Sequence, residues 1–277
     1  MKYNDLYNLF IKDRETYCSP KTINTYHAQL GRFTSFLQLE NIVYMEQINT
    51  ETLKDYLLYL RNSGIKATSI KAYFRHLYAL FSFAIDNDYI PAFKYKIKLP
   101  RPDPEQVLPL SQAEVSHLLL NTSARNRLII RLMVDMGLRS SEVRHLRRKD
   151  ISDSFLTIVN SKCNKSRILP IPPAVKASLR EYGIYRFNPD SFIIDISENA
   201  MKCIFSRMKQ SSGITRLHAH LLRHTFATSY IMQRSNLEYL RCYMGHETYA
   251  VTQGYIQLAS QCNLIHYEIY KIDPIFT

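Results

Sequence analysis

Leu99-Pro100-Arg101-Pro102-Asp103-Pro104-Glu105-Gln106-Val107-Leu108-Pro109 places four prolines in eleven residues. Each proline fixes φ and removes a backbone donor, so the stretch cannot be helical and reads as an extended, semi-rigid connector. It divides the 277 residues into a unit over 1–99, a linker over 100–109 and a second unit over 110–277. The length supports that division, because it exceeds the usual size of a chain organised around one core.

Upstream of the connector the apolar residues recur at helical spacing. Ser19 before Pro20 is an N-cap and first-turn pair, and Ile23, Tyr26, Leu30, Phe33 and Leu37 then line one face of a long helix. A second helix is expected from about Glu51 to Arg61, apolar at Leu53, Tyr56, Leu57 and Leu60 and stopped near Gly64. Thr68 or Ser69 is the expected cap of a third, whose face carries Ile70, Tyr73, Leu77, Leu80, Phe81 and Ala84. With a first helix near Asp5 to Glu15, the unit is a bundle of about four helices.

Downstream, Ser111-Gln112-Ala113-Glu114 is a capping box opening a helix through Val115, Leu118 and Leu119. Helical pattern returns from Arg125 to about Arg148, broken at Gly137, with Ser140 or Ser141 as the expected cap of the new helix. Phe155–Val159 and Arg167–Ile171 are short β-rich runs joined by polar residues and read as a hairpin. Helices resume over 174–182, 198–210, 220–233 and 236–244. The expected fold is mainly α with a small β-hairpin, giving an α+β second domain behind an N-terminal helical bundle.

The 36 Lys and Arg against 24 Asp and Glu leave a net charge of +12, which favours a polyanionic partner through phosphate contacts. Residues 1–100 hold 13 basic and 9 acidic side chains and the remainder 23 and 15, so both halves are positive, as suits a clamp gripping DNA from two sides. Five scattered cysteines, Cys18, Cys163, Cys203, Cys242 and Cys262, never form C-x-x-C. A reduced cytoplasmic setting is expected, with no membrane span and no phosphate loop for ATP. His218, His220 and His224 have no neighbouring cysteine or carboxylate to complete a metal site, so neither metal nor cofactor is expected.

The chemistry concentrates in four segments. Met244-Gly245-His246-Glu247-Thr248-Tyr249-Ala250-Val251-Thr252-Gln253-Gly254-Tyr255 follows His220-Leu221-Leu222-Arg223-His224. Ahead of both stand Gly137-Leu138-Arg139-Ser140-Ser141-Glu142 and Ser161-Lys162-Cys163-Asn164-Lys165-Ser166-Arg167. His220, Arg223 and His224 share a helical face at i, i+3 and i+4. A tyrosine phenol, with a pKa near 10, is a poor nucleophile unless a base and cations assist it. Together the segments read as a cationic pocket for a phosphodiester.

In order, spacing and flanking residues, nearly the whole chain resembles the tyrosine recombinase (phage integrase) family, close to its short, Xer-like members. The resemblance implies that Tyr255 is the nucleophile, that Arg139 and Arg223 hold the non-bridging oxygens, and that His220 exchanges the proton while His246 donates to a phosphate oxygen. Lys162 matches the lysine that protonates the leaving 5′ oxygen, with Lys165 as alternative, although both glycines of the family's G-K-G-x-K-x-R hairpin are replaced here. Glu142 and His224 are implied to support the pocket. In the first unit, Lys21, Arg32, Lys66, Lys71 and Arg75 are implied contacts to DNA backbone.

The implied activity is site-specific recombination through a 3′ phosphotyrosine and a Holliday junction. It acts on double-stranded DNA with paired sites, in a homotetramer or in a heterotetramer with a second recombinase, in the cytoplasm at the nucleoid. A type IB topoisomerase-like strand transferase and a catalytically silent DNA-binding protein of the same fold are the alternatives. The apolar tail over 256–277 is too short for its own core and must be buried against something, either its own second unit or, as the resemblance implies, a neighbouring protomer.

Overall fold

In the computed structural model the described residues are 1–101, 108–120, 122–160, 165–233, 236–245 and 252–256. Contacts divide the chain into two compact units, Met1–Glu105 and Gln106–Thr277.

The first unit consists of α1 (Tyr3–Glu15), α2 (Pro20–Leu39), α3 (Thr50–Asn62) and α4 (Ala67–Asp86). Their apolar faces meet in an aromatic core in which Phe10, Phe33, Tyr56, Phe74 and Phe81 are buried, Phe33 and Tyr56 packing edge to face at 4.9 Å. Ser19 caps α2 by accepting from the Thr22 amide, and Gly64 takes the left-handed conformation after α3. The start of α4 differs from expectation. Neither Thr68 nor Ser69 caps it: Lys66, in an extended conformation, is the N-cap residue, and its carbonyl already accepts from the Ser69 and Ile70 amides. The two hydroxyl residues lie inside the first turn, where their backbone is helical.

The second unit contains α5 (Gln112–Leu120), α6 (Ala124–Val134), α7 (Ser140–Arg144), β1 (Phe155–Asn160), β2 (Lys165–Pro170), α8 (Pro173–Tyr182), α9 (Glu198–Ser212), α10 (Ala219–Gln233) and α11 (Leu237–Met244). Residues 252–256 are helical as well. The Ser111–Glu114 capping box forms, with amide contacts of 2.8 and 3.2 Å. Near the middle lie α6 and α10. Leu128, Ile129, Ile130, Leu132, Met133 and Val134 leave α6 buried on most sides at its C-terminal half, and α10 buries the polar Arg223, Thr225, Thr228 and Ser229 beside its apolar residues. A helix so enclosed sets its side chains by packing rather than by solvent.

The strands pair antiparallel with Ile158 opposite Arg167 and Leu156 opposite Leu169. Alternation turns Leu156, Ile158 and Leu169 inward, whereas Phe155, Val159 and Ile168 stay exposed. Arg167, opposite Ile158, therefore belongs to the inner face.

Gly137 ends the passage from α6 to α7 at φ +63°, and a Cβ there would stand 2.5 Å from a Phe226 ring carbon and 2.8 Å from the Met244 sulfur. Both neighbours are buried, so neither can yield cheaply. Gly137→Ala is expected to lower unfolding free energy by about 2 kcal/mol or more, from left-handed strain and overpacking together. Gly31→Ala, inside α2 with nothing within 4 Å of the new Cβ, is expected to raise it by roughly 0.5–1 kcal/mol. Denaturant titration followed by circular dichroism checks the opposed signs.

Candidate active site

The pocket begins at a cap. Arg139, in extended conformation, is the N-cap of α7, and its amide donates to Glu142 Oε2 at 2.8 Å. Ser140 and Ser141, the expected caps, are instead the first helical residues. Because Glu142 stands three residues after the cap, its carboxylate reaches back over the helix start, where unpaired amides and the helix dipole favour negative charge.

Two guanidinium groups meet that carboxylate and a third approaches it. Arg167, from β2, donates Nη1 to Oε1 and Nη2 to Oε2, both at 2.9 Å. Arg139 Nη1 donates to Oε1 at 2.9 Å, while Arg223 from α10 lies 3.9 Å from Oε2. The same arginines seize the end of α11: Arg139 donates to the Gly245 carbonyl at 2.8 Å and Arg223 to the Met244 carbonyl at 2.7 Å. Arg223 also donates to the Gly137 carbonyl. Left-handed Gly245, φ +64°, lets the chain turn there, and a Cβ on it would lie 3.0 Å from Arg167 Nη1.

Tyr255 is buried, its ring 5.1 Å from that of His224 in an edge contact, and His224 meets His220 edge to face at 4.6 Å. His224 thus contacts the rings of both His220 and Tyr255. Its Nδ1 is buried without a hydrogen-bond partner among the described residues.

Charge states follow from these surroundings. Burial pushes the Glu142 carboxyl up, but the bonds from Arg167, the Arg139 amide and the charge of Arg223 outweigh it and hold the group below its usual range. Burial, reinforced by Arg139, brings Arg223 down to about 10, still protonated at neutral pH. His220 is lowered by burial and by the charges of Arg223, His218 and Arg139. His224 falls to about 4 through burial and the neighbouring histidines. Both imidazoles are therefore neutral at pH 7. Burial raises the Tyr255 phenol above its ordinary value, against the pull of Arg223 and Arg139.

Of the residues singled out in the sequence, Arg139, Glu142, His220, Arg223, His224 and Tyr255 gather here. His246 and Lys162 lie outside the described residues, as does the tail over 257–277, and Lys165 is placed only by its backbone opposite Asn160. Arg167 was not foreseen as a pocket residue, although strand alternation turns it inward. In the first unit Lys21, Arg32, Lys66, Lys71 and Arg75 are all exposed, with Arg32 lying over the Tyr73 ring at 5.4 Å.

Both units resemble known proteins. Residues 105–261 match the phage integrase family and residues 2–99 the phage integrase SAM-like domain. The tyrosine recombinase XerC of Staphylococcus carnosus is 26% identical over 273 residues, 91% of this chain and 92% of that protein. That of Staphylococcus haemolyticus is 27% identical over 264 residues, 88% of each. Among solved structures, a lambda integrase dimer bound to a COC′ core site superposes with a TM-score of 0.79 at 19% identity, over 92% of this chain and 95% of that one. The XerH recombinase bound to a palindromic difH substrate gives 0.71 at 22% identity, over 96% and 84%. The chain belongs to the phage integrase family. It is an Xer-like tyrosine recombinase, an enzyme of site-specific recombination, and the topoisomerase and silent alternatives are not favoured.

Replacing Glu142 by Ala strands three guanidiniums around an empty site. The expected cost is about 3–5 kcal/mol of stability, the scale for removing one partner of a buried ion pair, against less than roughly 0.5 kcal/mol for Glu15→Ala at the exposed end of α1. Urea unfolding of the two variants checks the contrast.

Proposed function

We propose that the Tyr255 oxygen attacks a phosphodiester of duplex DNA, forming a 3′ phosphotyrosine and releasing a 5′ hydroxyl, which another strand's 5′ hydroxyl later reverses. The observation that carries this reading is the convergence of Arg139, Arg167 and Arg223 on Glu142 beside the buried phenol of Tyr255. Arg139, with 35% of its side chain exposed, and Arg223 face the charge that develops on the non-bridging oxygens. A phenol held protonated by burial needs a base, and neutral His220 serves as proton acceptor. By the resemblance, His246 donates to a phosphate oxygen and Lys162, or Lys165 in its place, protonates the leaving 5′ oxygen. Neither metal nor cofactor enters this scheme, since the bond energy is kept in the DNA-protein linkage.

The proposed substrate is double-stranded DNA with two recombination sites, gripped by both units, with Lys21, Arg32, Lys66, Lys71 and Arg75 on the backbone. Four protomers, alike or paired with a second recombinase, exchange strands through a Holliday junction, and the tail over 256–277 docks on a neighbour. A lambda integrase tetramer bound to a Holliday junction shares the fold, with a TM-score of 0.78 at 17% identity over 92% of this chain and 77% of that one. Among the described residues no helix is long and apolar enough to cross a membrane, which is compatible with action at the nucleoid.

A nicked suicide substrate tests the assignment. Wild-type protein is expected to become covalently linked to DNA, and Tyr255→Phe to bind the site within a few-fold but never attach; attachment by that variant would overturn the role. Arg139→Ala should slow attachment by at least roughly a hundredfold, the scale for removing one charge-stabilising donor. Because His220 is held below its ordinary 6.5, the acid limb of the cleavage profile should fall below pH 6.5 and disappear in His220→Gln. Single-turnover rates from pH 5 to 8 measure it.

A further inference from the structure

We propose that Arg167 is a positioning residue for cleavage: by engaging both oxygens of Glu142 it keeps Arg139 from being drawn fully onto that carboxylate, leaving Arg139 to meet the phosphate. The inference rests on the phosphodiester reading of the pocket. An ionised carboxylate offers about four lone-pair sites. Here each oxygen accepts twice, Oε1 from Arg139 Nη1 and Arg167 Nη1, Oε2 from the Arg139 amide and Arg167 Nη2. Arg167 therefore supplies half the donors, in the paired geometry that only a guanidinium offers.

Without Arg167 two lone pairs of a carboxylate only 11% exposed lose their donors. The nearest replacements are cations already present. Arg139 has one side-chain bond to Glu142 and can rotate to make two, while Arg223 stands 3.9 Å away and can close. Either movement pulls a guanidinium off the phosphate side and releases the Gly245 or Met244 carbonyl it holds. Arg167 lies under Gly245 as well, within 3.0 Å of where a Cβ would be, so it supports the turn that Arg139 grasps. It is 14% exposed with its terminal nitrogens turned to Glu142, which suits support better than substrate contact.

The test is a double-variant comparison in single-turnover cleavage at saturating site DNA. Arg167→Met is expected to slow cleavage by up to roughly a hundredfold, the scale of a misplacement near 1 Å, with site affinity changed less than about threefold. Adding Glu142→Gln should then restore cleavage at least about fivefold over Arg167→Met alone, because a neutral amide no longer draws Arg139 away. A merely structural residue predicts the reverse, since each substitution removes more of the network. A double variant no faster than Arg167→Met, or an Arg167→Met enzyme cleaving at the normal rate, overturns the proposal. Should Arg167→Met fail to fold, Arg167→Lys with and without Glu142→Gln gives the same comparison, lysine keeping the charge but not the paired bonds. Absence of covalent product from wild-type protein would instead count against the phosphodiester reading.

Discussion

A carboxylate taken out of water must be paired and hydrogen-bonded on all its lone pairs, and Glu142 meets that requirement by gathering guanidiniums from three parts of the chain. Arg139 comes from its own helix start, Arg167 from the hairpin and Arg223 from the central α10. Arg139 and Arg223 then extend the arrangement outward, to the Gly137, Met244 and Gly245 carbonyls. Two of those carbonyls belong to the end of α11, where the helix dipole is negative and cations are favoured. Like charges crowded together would repel. The shared anion makes their assembly favourable before DNA arrives, so little reorganisation is left for the reacting complex.

The same burial that pairs the charges sets the proton inventory. Arg223 stays cationic, His220 and His224 stay neutral, and Tyr255 keeps its proton until a base takes it. Two of the depressed groups, Glu142 and His224, share a consequence for stability. Glu142 has a folded pKa below its unfolded one, so its contribution is present above the unfolded value and lost as pH falls through the folded one. For His224 the unfolded chain takes up a proton near 6.5 and the folded chain only near 4, so stability declines as pH falls through that interval. Acid therefore loosens this pocket from both sides.

Much of this was legible in the sequence wherever the information was local. The faces of α2, α3 and α4 followed from apolar spacing, and the caps at Ser19 and Ser111 from side-chain chemistry. Starts at Lys66 and Arg139 were not, because there an extended backbone makes the cap and the hydroxyl residues just after it lie inside the first turn. Arg139, Glu142, His220, Arg223, His224 and Tyr255 were found by pattern and resemblance. Arg167 escaped because its role depends on a carboxylate 25 residues away, reached only once β2 pairs with β1 and packs its inner face inward. Nor does any periodicity announce that α10 would bury an arginine to 1% exposure among threonines and a serine.

The pocket is organised on an ionised Glu142 in the free protein. A 13C NMR titration of glutamate carboxyls, with the Glu142 resonance assigned by its loss in Glu142→Gln, measures that ionisation directly. The expected midpoint lies below the ordinary 4.5, with the carboxylate charged at neutral pH. A midpoint at or above 4.5 would mean that the guanidiniums do not outweigh burial, and would contradict it.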